Sequence, residues 1–359
     1  VSTEKRRSAP SSWELEVRKV MGHSGQGLAV VRFTGGLGSI GGAFAAAVLI
    51  GVIHALGLSF FPQATLVLVF LTMAVVLVWR PQGLAGSAAH AEQRESVPIF
   101  ALWPVGMAGR ALWVTVFVGL TLLAWEQGDY GRSLAEDVMV MMLFGLSLQW
   151  MMALGGLVSF GHAAFFALGA YGAALLVRAL GLSMEVSLLV APLVAAFGAL
   201  VFGWFAVRLS GVYLAMLTLA FAQITWAVTF QWDSFTGGSN GLTGVWPSAL
   251  FSDKRMYYWL TLGLVVAGVL GLRRVLFSPF GYALRAGRDS VLRADAIGID
   301  VKRLQWLAFV LAGGVAGLAG ALYAFSKGSI SPESMSVGKS VDGLVMVLLG
   351  GIQTLAGPV

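Results

Sequence analysis

The chain contains a series of apolar runs, each long enough to cross a lipid bilayer. A helix needs about 20 apolar residues to span roughly 30 Å of hydrocarbon. The runs far exceed strand length and lack the two-residue alternation of a transmembrane barrel. The sequence therefore predicts an all-α integral membrane protein with about ten spans: 41–60, 63–79, 108–126, 138–157, 162–180, 186–207, 211–231, 256–272, 304–325 and one beginning near 341.

The composition excludes most soluble classes of protein. Of the 359 residues, 58% are hydrophobic and 11% are charged, whereas a soluble domain of this size carries about 25% charged residues. The chain has no cysteine, which removes disulfide scaffolds, thiolate metal sites and thiol nucleophiles. We expect neither catalytic residues nor a metal site.

Loop charges predict the orientation of the spans. The stretch 272–304 carries seven Lys and Arg against three Asp, so the positive-inside rule places it in the cytoplasm. Counting spans backwards places the basic segment 1–27 on the same side. The same parity places the acidic loop 126–137, the Gly-rich loop 232–255 and the loop 326–340 outside.

A weak internal repeat predicts two membrane units. The run GGLGSIGG at 35–42 has a counterpart in GGIQTLAG at 350–357, and both lie at a predicted cytoplasmic turn after an apolar stretch. We predict the following organisation: a polar basic N-terminal segment (1–27), the C-terminal part of a first unit (28–86), a cytoplasmic linker (87–107), and a second unit (108–359) that ends before its last helices.

Two glycine motifs resemble nucleotide sites but lack the required context. The run 36–41 fits G-x-G-x-x-G, yet residues 55–62 contain no acidic side chain and the following helix crosses the membrane. Gly338-Lys339-Ser340 ends like a phosphate loop, but Glu333 occupies the position of the required upstream glycine. We expect that this chain does not hydrolyse ATP by itself.

The cytoplasmic loop 279–304 is basic and amphipathic. Helical periodicity predicts that Leu284, Val291 and Leu292 share one face. Interspersed Asp and small residues favour docking into a groove of a partner protein. The alternative is a basic loop that lies on anionic lipid.

A few polar residues within or beside the spans are candidates for a solute pathway, because intramembrane polar groups are often functional. They are Ser159, Gly161, His162, Tyr171, Tyr213, Thr218 and Gln223. Ser159 could cap the helix that starts at His162, and an interfacial histidine or simple interhelical hydrogen bonds are the alternatives. Asp and Glu are missing from the middle of the spans, which argues against an ion-coupled carrier.

The outer loop is rich in turn formers. It either receives a substrate or a delivery protein, or it is an exposed flexible loop. The candidate residues are Gly237, Gly238, Asn240 and Gly241.

Several separated motifs resemble one family, the permease subunits of branched-chain amino acid ABC importers. They are Leu157–Tyr171, Leu209–Ala220, Thr236–Gly244 and Arg285–Gly298. Residues 108–359 resemble the second of the two permeases of such an importer, and residues 28–86 resemble the end of the first. Gln353 stands where the family usually has Gly.

The resemblance implies an ABC importer permease fold and a multi-pass subunit of the inner membrane that moves leucine, isoleucine or valine inward. It implies partners: cytoplasmic ATPase subunits that use the ATP, a second permease and a periplasmic substrate-binding protein. It implies no cofactor in this chain and no nucleic acid. It also implies that the loop 281–298 meets the ATPase, with these residues fitting the pattern: Gly281, Arg285, Ala286, Arg288, Asp289, Ala294, Ala296 and Gly298, to which we add Arg293 and Asp295.

Three alternatives remain open at this stage. The first is the same machine with another solute, such as urea or short amides. The second is a self-contained channel or carrier, which would give flux without ATP. The third is an inactive remnant in which only the fold survives.

Overall fold

The computed structural model describes residues 40–60, 65–80 and 128–351, together with the single residues 34, 115 and 119. The chain separates into two compact units, residues 1–91 and residues 92–359. Helices dominate the described part, as the sequence predicts.

The elements follow in chain order. The helices are α1 (Ile40–Phe60), α2 (Thr65–Trp79), α3 (Asp129–Gly155), α4 (His162–Leu180), α5 (Met184–Ala206), α6 (Val212–Gln231), α7 (Asp233–Thr236), α8 (Lys254–Leu276), α9 (Pro279–Asp289), α10 (Val291–Ala296), α11 (Val301–Lys327) and α12 (Val337–Gly350). Single 3₁₀ turns cover Gly238–Asn240, Ala249–Phe251 and Pro332–Met335, and two-residue strands cover β1 (Leu242–Thr243) and β2 (Ser329–Ile330).

In the first unit, α1 packs against α2. Both helices are predominantly apolar, with His54 near the middle of α1. A Cβ at Gly57 would lie 3.3 Å from side-chain atoms of Thr65 and Leu68, so the absence of a side chain there lets the two helices approach closely.

Among the described residues of the second unit, six helices are long and apolar enough to cross a membrane: α3, α4, α5, α6, α8 and α11. They confirm six of the predicted spans. The predicted span 108–126 lies outside the described residues apart from Thr115 and Gly119. The last predicted span corresponds to α12, which has 14 residues and ends before the undescribed residues 352–359.

The start of α3 differs from the prediction. The sequence places residues 126–137 in an outer loop, but the helix begins at Asp129. Charged residues lowered the hydropathy of this stretch, yet they have partners: Asp137 pairs with Lys327 at 2.6 Å, and Glu136 accepts a hydrogen bond from Ser326 at 2.8 Å. A charge-bearing turn of helix is therefore compatible with the end of a span.

Helix α11 lies at the centre of the second unit, against α3, α4 and α5. Its contact with α4 depends on glycine. A Cβ at Gly320 would lie 1.8 Å from the carbonyl oxygen of Phe166, and one at Gly169 would lie 2.1 Å from that of Gly317. The backbones approach as closely as small residues permit, which is how helices associate in lipid.

Contacts between α3 and α11 define two ends of this unit. Gln305 donates to the carbonyl of Gly155 at 3.3 Å, and the Glu136–Ser326 bond lies at the opposite end, so the two helices run antiparallel. We call the Gly155 end inner and the Glu136 end outer. At the outer end, β1 pairs with β2 through Leu242 and Ile330. The loops 232–255 and 326–340 therefore lie together, in agreement with the predicted parity.

The segment between β2 and α12 enters the bundle before α12 begins. Pro332 and Met335 are buried, and so is Ser340 in the first turn of α12. Ser340 reaches the start of α4, where its hydroxyl accepts a hydrogen bond from the backbone N–H of Ala163 at 3.1 Å. Helices α4 and α12 thus begin beside each other within the protein interior.

Candidate functional site

The predicted partner-docking loop folds into two short helices, α9 and α10, which we call the coupling segment (residues 279–298). Ser278 caps α9 by accepting from the N–H of Gly281 at 3.4 Å, and Ser290 caps α10 by accepting from Arg293 at 3.4 Å. Gly298 follows with a φ of 84°, a conformation that favours glycine. Each boundary is set by a capping serine or a turn-forming glycine.

The prediction that Leu284, Val291 and Leu292 share one face is wrong. Leu284 is buried, whereas Leu292 is 83% exposed and Val291 is 45% exposed. Ser290 adopts an extended conformation with φ −159° and ψ 108°, which ends the helix and restarts it in another direction. Leu292 and Ile297 consequently present apolar side chains at the surface.

Two arginines attach the coupling segment to the inner ends of spanning helices. Arg288 donates to the carbonyl of Ala153 near the end of α3, and it pairs with Asp289 at 3.1 Å. Arg285 donates to the carbonyl of Leu276, the last residue of α8, at 2.7 Å. Helix C-termini leave carbonyls without partners and carry partial negative charge, so guanidinium groups stabilise them.

The other predicted residues of the coupling segment divide between packing and surface. Gly281 lies against the end of α8, where a Cβ would meet the carbonyl oxygen of Leu276 at 2.4 Å. Ala294 is buried and Ala286 is half-buried, while Arg293, Asp295 and Ala296 are exposed. These three exposed residues neighbour the exposed Leu292 and Ile297 in the chain.

Burial also affects the pKa of one of these two arginines. It lowers the pKa of the Arg285 guanidinium, and Tyr282, whose ring lies 4.6 Å from Arg285 Cζ, opposes that change. Arginine normally titrates so far above neutrality that it stays a cation in proteins. The attachment to Leu276 therefore does not depend on pH in the physiological range.

The structure brings four of the predicted pathway residues together: Ser159, Gly161, His162 and Thr218. The N–H of Phe160 donates to the hydroxyl of Thr218 at 3.1 Å. A Cβ at Gly161 would lie 2.0 Å from the carbonyl oxygen of Thr218. The non-helical link between α3 and α4 is thereby packed tightly against α6.

His162 is fully buried rather than interfacial. Its Nε2 lies 2.8 Å from the hydroxyl of Ser147, and its ring packs between Phe144 and Phe165 at centroid distances of 5.5 and 5.8 Å. Its Nδ1 has no hydrogen-bond partner among the described residues. This geometry gives the side chain a packing role, and its place in a pathway stays a prediction.

The prediction that Ser159 caps α4 is wrong. The N-cap is Gly161, without a side-chain hydrogen bond, and the buried hydroxyl of Ser159 has no partner within the described part of the chain. The hydroxyl of Ser340, 177 positions along the chain, instead accepts a hydrogen bond from the buried N–H of Ala163 in the first turn of α4. Sequence spacing carries no signal for a cap from so distant a residue. The contact of Ser147 with His162, 15 positions apart on two helices, depends on how α3 packs against α4, which the sequence does not show.

Replacing Ser340 with alanine tests this distant cap. We expect the free energy of unfolding to fall by about 1 kcal/mol, which is typical of a lost N-cap, and Tm to fall by a few degrees. Thermal unfolding of the purified chain in detergent measures the change. Ser239, exposed in the outer loop, provides the matched control, and equal shifts for Ser239→Ala and Ser340→Ala would contradict the capping role.

Three predicted pathway residues lie apart from this cluster. Tyr171 and Gln223 are buried in α4 and α6, and Tyr213 is half-buried near the start of α6. The hydroxyl of Tyr171 has no hydrogen-bond partner among the residues that the structure describes.

The outer loop is built from tight turns. Gly237 and Gly241 have φ values of 75° and 70°. Gly238 also has a positive φ, of 54°. A Cβ at Gly241 would lie 2.1 Å from the carbonyl oxygen of Ile330 in β2. The glycines therefore fix this loop against the second outer segment.

A cavity opens at each end of the second unit. The outer cavity has a volume of about 540 Å³ and lies where the two outer loops meet α11; its lining includes Asn240, Tyr323, Lys327, Glu333, Ser334 and Lys339. The inner cavity, of about 510 Å³, lies between the link 207–211 and the coupling segment, and Asp295 and Gln305 border it. Asn240 is the predicted outer-loop residue that reaches a cavity.

Comparison with known proteins assigns these features to a family. The family described as "Branched-chain amino acid transport system / permease component" matches residues 132–359. The chain belongs to this family. Six helices in the described part of the chain are long and apolar enough to cross a membrane, so the chain is a multi-pass membrane protein, and its family is that of an ABC-type transport system.

Named relatives agree with the assignment. The high-affinity branched-chain amino acid transport system permease protein LivM of Escherichia coli (strain K12) is 31% identical over 246 residues, covering 61% of this chain and 58% of that protein. The probable branched-chain amino acid transport permease protein LivH of Methanocaldococcus jannaschii is 25% identical, covering 63% of this chain and 74% of that protein. The autoinducer 2 import system permease protein LsrC of Klebsiella pneumoniae is 34% identical over 99 residues, covering 28% of each chain.

The chain spans about three fifths of the length of the LivM relatives that it matches. No solved structure matches the chain.

Proposed function

We propose that the chain is a permease subunit of a binding-protein-dependent ABC importer, which moves branched-chain amino acids inward across the inner membrane. The observation that carries the proposal is the attachment of the coupling segment to α3 through Arg288 and to α8 through Arg285. Such a segment transmits motion only if it is fixed to the spans, and here charged hydrogen bonds fix it.

Separate ATPase subunits bind the ATP and dock on the exposed face of the coupling segment. Leu292 and Ile297 supply apolar contact area there, and Arg293 and Asp295 supply charge. Nucleotide-driven closure then moves α9 and α10 as a rigid element. The displacement reaches α3 through Arg288, and α11 follows through the bond between Gln305 and Gly155.

The remaining partners are a second permease subunit and a periplasmic substrate-binding protein. The paired outer loops offer the binding protein an ordered surface, because β1, β2 and the glycine turns hold them together. The chain itself contributes no catalytic group and binds no cofactor in this scheme.

We infer branched-chain amino acids as the solute from the relatives whose names state that they transport them. The similarity to a permease named for autoinducer 2 import favours a second candidate, the same machine with another small solute, for which urea and short amides are the first to test. A shared fold does not determine the solute.

The deciding experiment is leucine uptake into proteoliposomes that contain this chain, the second permease and the ATPase subunits, with the binding protein added. We expect uptake only when both ATP and the binding protein are present. Matched vesicles without ATP provide the control. Flux without ATP would indicate a self-contained channel. ATP-dependent uptake of urea but not of leucine would support the second candidate. If no solute is taken up, the chain would be an inactive remnant.

A further inference from the structure

Lys339 places a positive charge inside the outer cavity, where the carboxylates of Asp342 and Asp137 attract it without forming an ion pair with it. Its side chain is half-buried, on the first turn of α12. No carboxylate of the described residues lies within 4.0 Å of its ammonium nitrogen, whereas Lys327, on the same cavity wall, pairs with Asp137 at 2.6 Å. Buried charges in proteins are generally paired, and a half-buried ammonium group that forms no ion pair is available to an anionic ligand.

Two aromatic rings hold the ammonium group in position. Lys339 Nζ lies 5.7 Å from the ring centroid of Phe166 and 5.5 Å from that of Tyr323. Contacts at this distance are attractive but weaker than a charge-assisted hydrogen bond. They hold the side chain and leave its N–H donors available: the hydrogen bond that Lys339 donates to Ser336 comes from its backbone nitrogen, and Nζ forms none with the residues that the structure describes.

The cavity around Lys339 suits a small zwitterion. Its volume of about 540 Å³ lies within the usual range for small-molecule sites. Asn240 and Ser334 supply neutral polar groups, and Glu333 supplies a carboxylate on the wall. An α-amino acid needs this combination: a cation for its carboxylate and an acceptor for its ammonium group.

We propose that the outer cavity binds amino acids before they cross, with Lys339 as the counter-ion of the α-carboxylate and Glu333 as the acceptor for the α-ammonium group. The inference deepens the proposed function and rests on it for the class of solute. In this proposal the chain recognises the α-carboxylate and α-ammonium groups of the amino acid and not its side chain.

Cysteine labelling tests the proposal, because the chain has no cysteine of its own. Ser334→Cys introduces a thiol on the cavity wall, and Ser234→Cys introduces one at an exposed position of the outer loop that does not line the cavity. Both variants are labelled in the assembled importer with a polar thiol reagent added from the outer side. Leucine should slow labelling of Ser334→Cys and leave Ser234→Cys unchanged.

Ligand and charge variants identify the contact. Leucinol, which lacks the carboxylate, should protect Ser334→Cys far less than leucine does. Adding Lys339→Met should weaken protection by leucine roughly tenfold to a hundredfold, the range expected when a charge-assisted hydrogen bond is lost. Lys339→Arg should retain most of the protection, and Lys254→Met, at a lysine outside this cavity, should retain all of it.

Each outcome separates this proposal from the proposed function. Equal protection by leucine and leucinol, no effect of Lys339→Met, or protection by the binding protein without amino acid would each overturn the cavity site, even if ATP-driven uptake of leucine is measured. Protection by another carboxylate that depends on Lys339, in an importer that does not transport leucine, would support the cavity site and overturn only the proposed solute.

Discussion

Replacing Arg288 with alanine is expected to lower ATP-driven uptake by roughly a hundredfold, while the chain still inserts into the membrane. The variant removes the guanidinium that joins the coupling segment to the carbonyl of Ala153 and leaves that carbonyl without its partner. Lost hydrogen bonds to charged groups cost about 1.5–3 kcal/mol, enough to loosen the segment from α3. Motion of the ATPase would then no longer reach the spans.

Uptake and ATP hydrolysis measured on the same vesicles distinguish the possible causes. We expect Arg288→Ala to keep its ATPase subunits and to hydrolyse ATP without transport, because the exposed face with Leu292 and Ile297 is intact. By contrast, Leu292→Glu should release the ATPase subunits altogether. These two phenotypes separate a loss of transmission from a loss of docking.

The matched control is Arg303→Ala. Arg303 also lies at the inner end, but its side chain is 83% exposed and its ion pair with Asp300 lies outside the coupling segment. Exposed pairs of this kind contribute little, so uptake should stay near that of the unmodified chain. Full transport by Arg288→Ala, or equal losses in both variants, would remove Arg288 from the transmission route.

The sequence predicts the spans well because hydrophobic length is a local property. The bounds of α4 were predicted at 162–180 and found at His162–Leu180. Charged residues mark the ends of the spanning helices less reliably than hydrophobic length does. Helix α3 starts at Asp129 because Asp137 and Glu136 find partners in α11, and partners almost two hundred positions away leave no trace in a local window.

The candidate sites show the same division between local and distant information. Loop charge and small residues predict the coupling segment, and the capping serines that shape it are visible in the sequence. The break at Ser290 overrides the helical periodicity and separates Leu284 from Leu292. The contacts of Arg288 with Ala153 and of Ser340 with Ala163 are set by packing, so only three-dimensional structure reveals them.

Gly320→Leu is expected to prevent the second unit from folding. A Cβ at this position would lie 1.8 Å from the carbonyl oxygen of Phe166 and 3.1 Å from the backbone nitrogen of Ala170. These are backbone atoms of a buried helix, which cannot move aside as a flexible side chain can. Since α4 and α11 share the most extensive helix contact in this unit, separating them should cost more than the roughly 1–3 kcal/mol typical of overpacking. The fraction of monodisperse protein after detergent extraction measures the loss.

Gly263→Leu and Gly271→Leu are the matched controls, because nothing lies within 4 Å of a Cβ at either position and both glycines are exposed on α8. Leucine makes α8 and α11 more apolar, so insertion into the membrane should be retained in all three leucine variants. Gly172→Ala provides an intermediate case, since its Cβ would lie 3.3 Å from Val194, a contact that a small shift relieves. Stability should therefore fall in the order Gly263→Leu, Gly172→Ala, Gly320→Leu. Normal extraction of Gly320→Leu would show that α4 and α11 are not held by direct backbone contact.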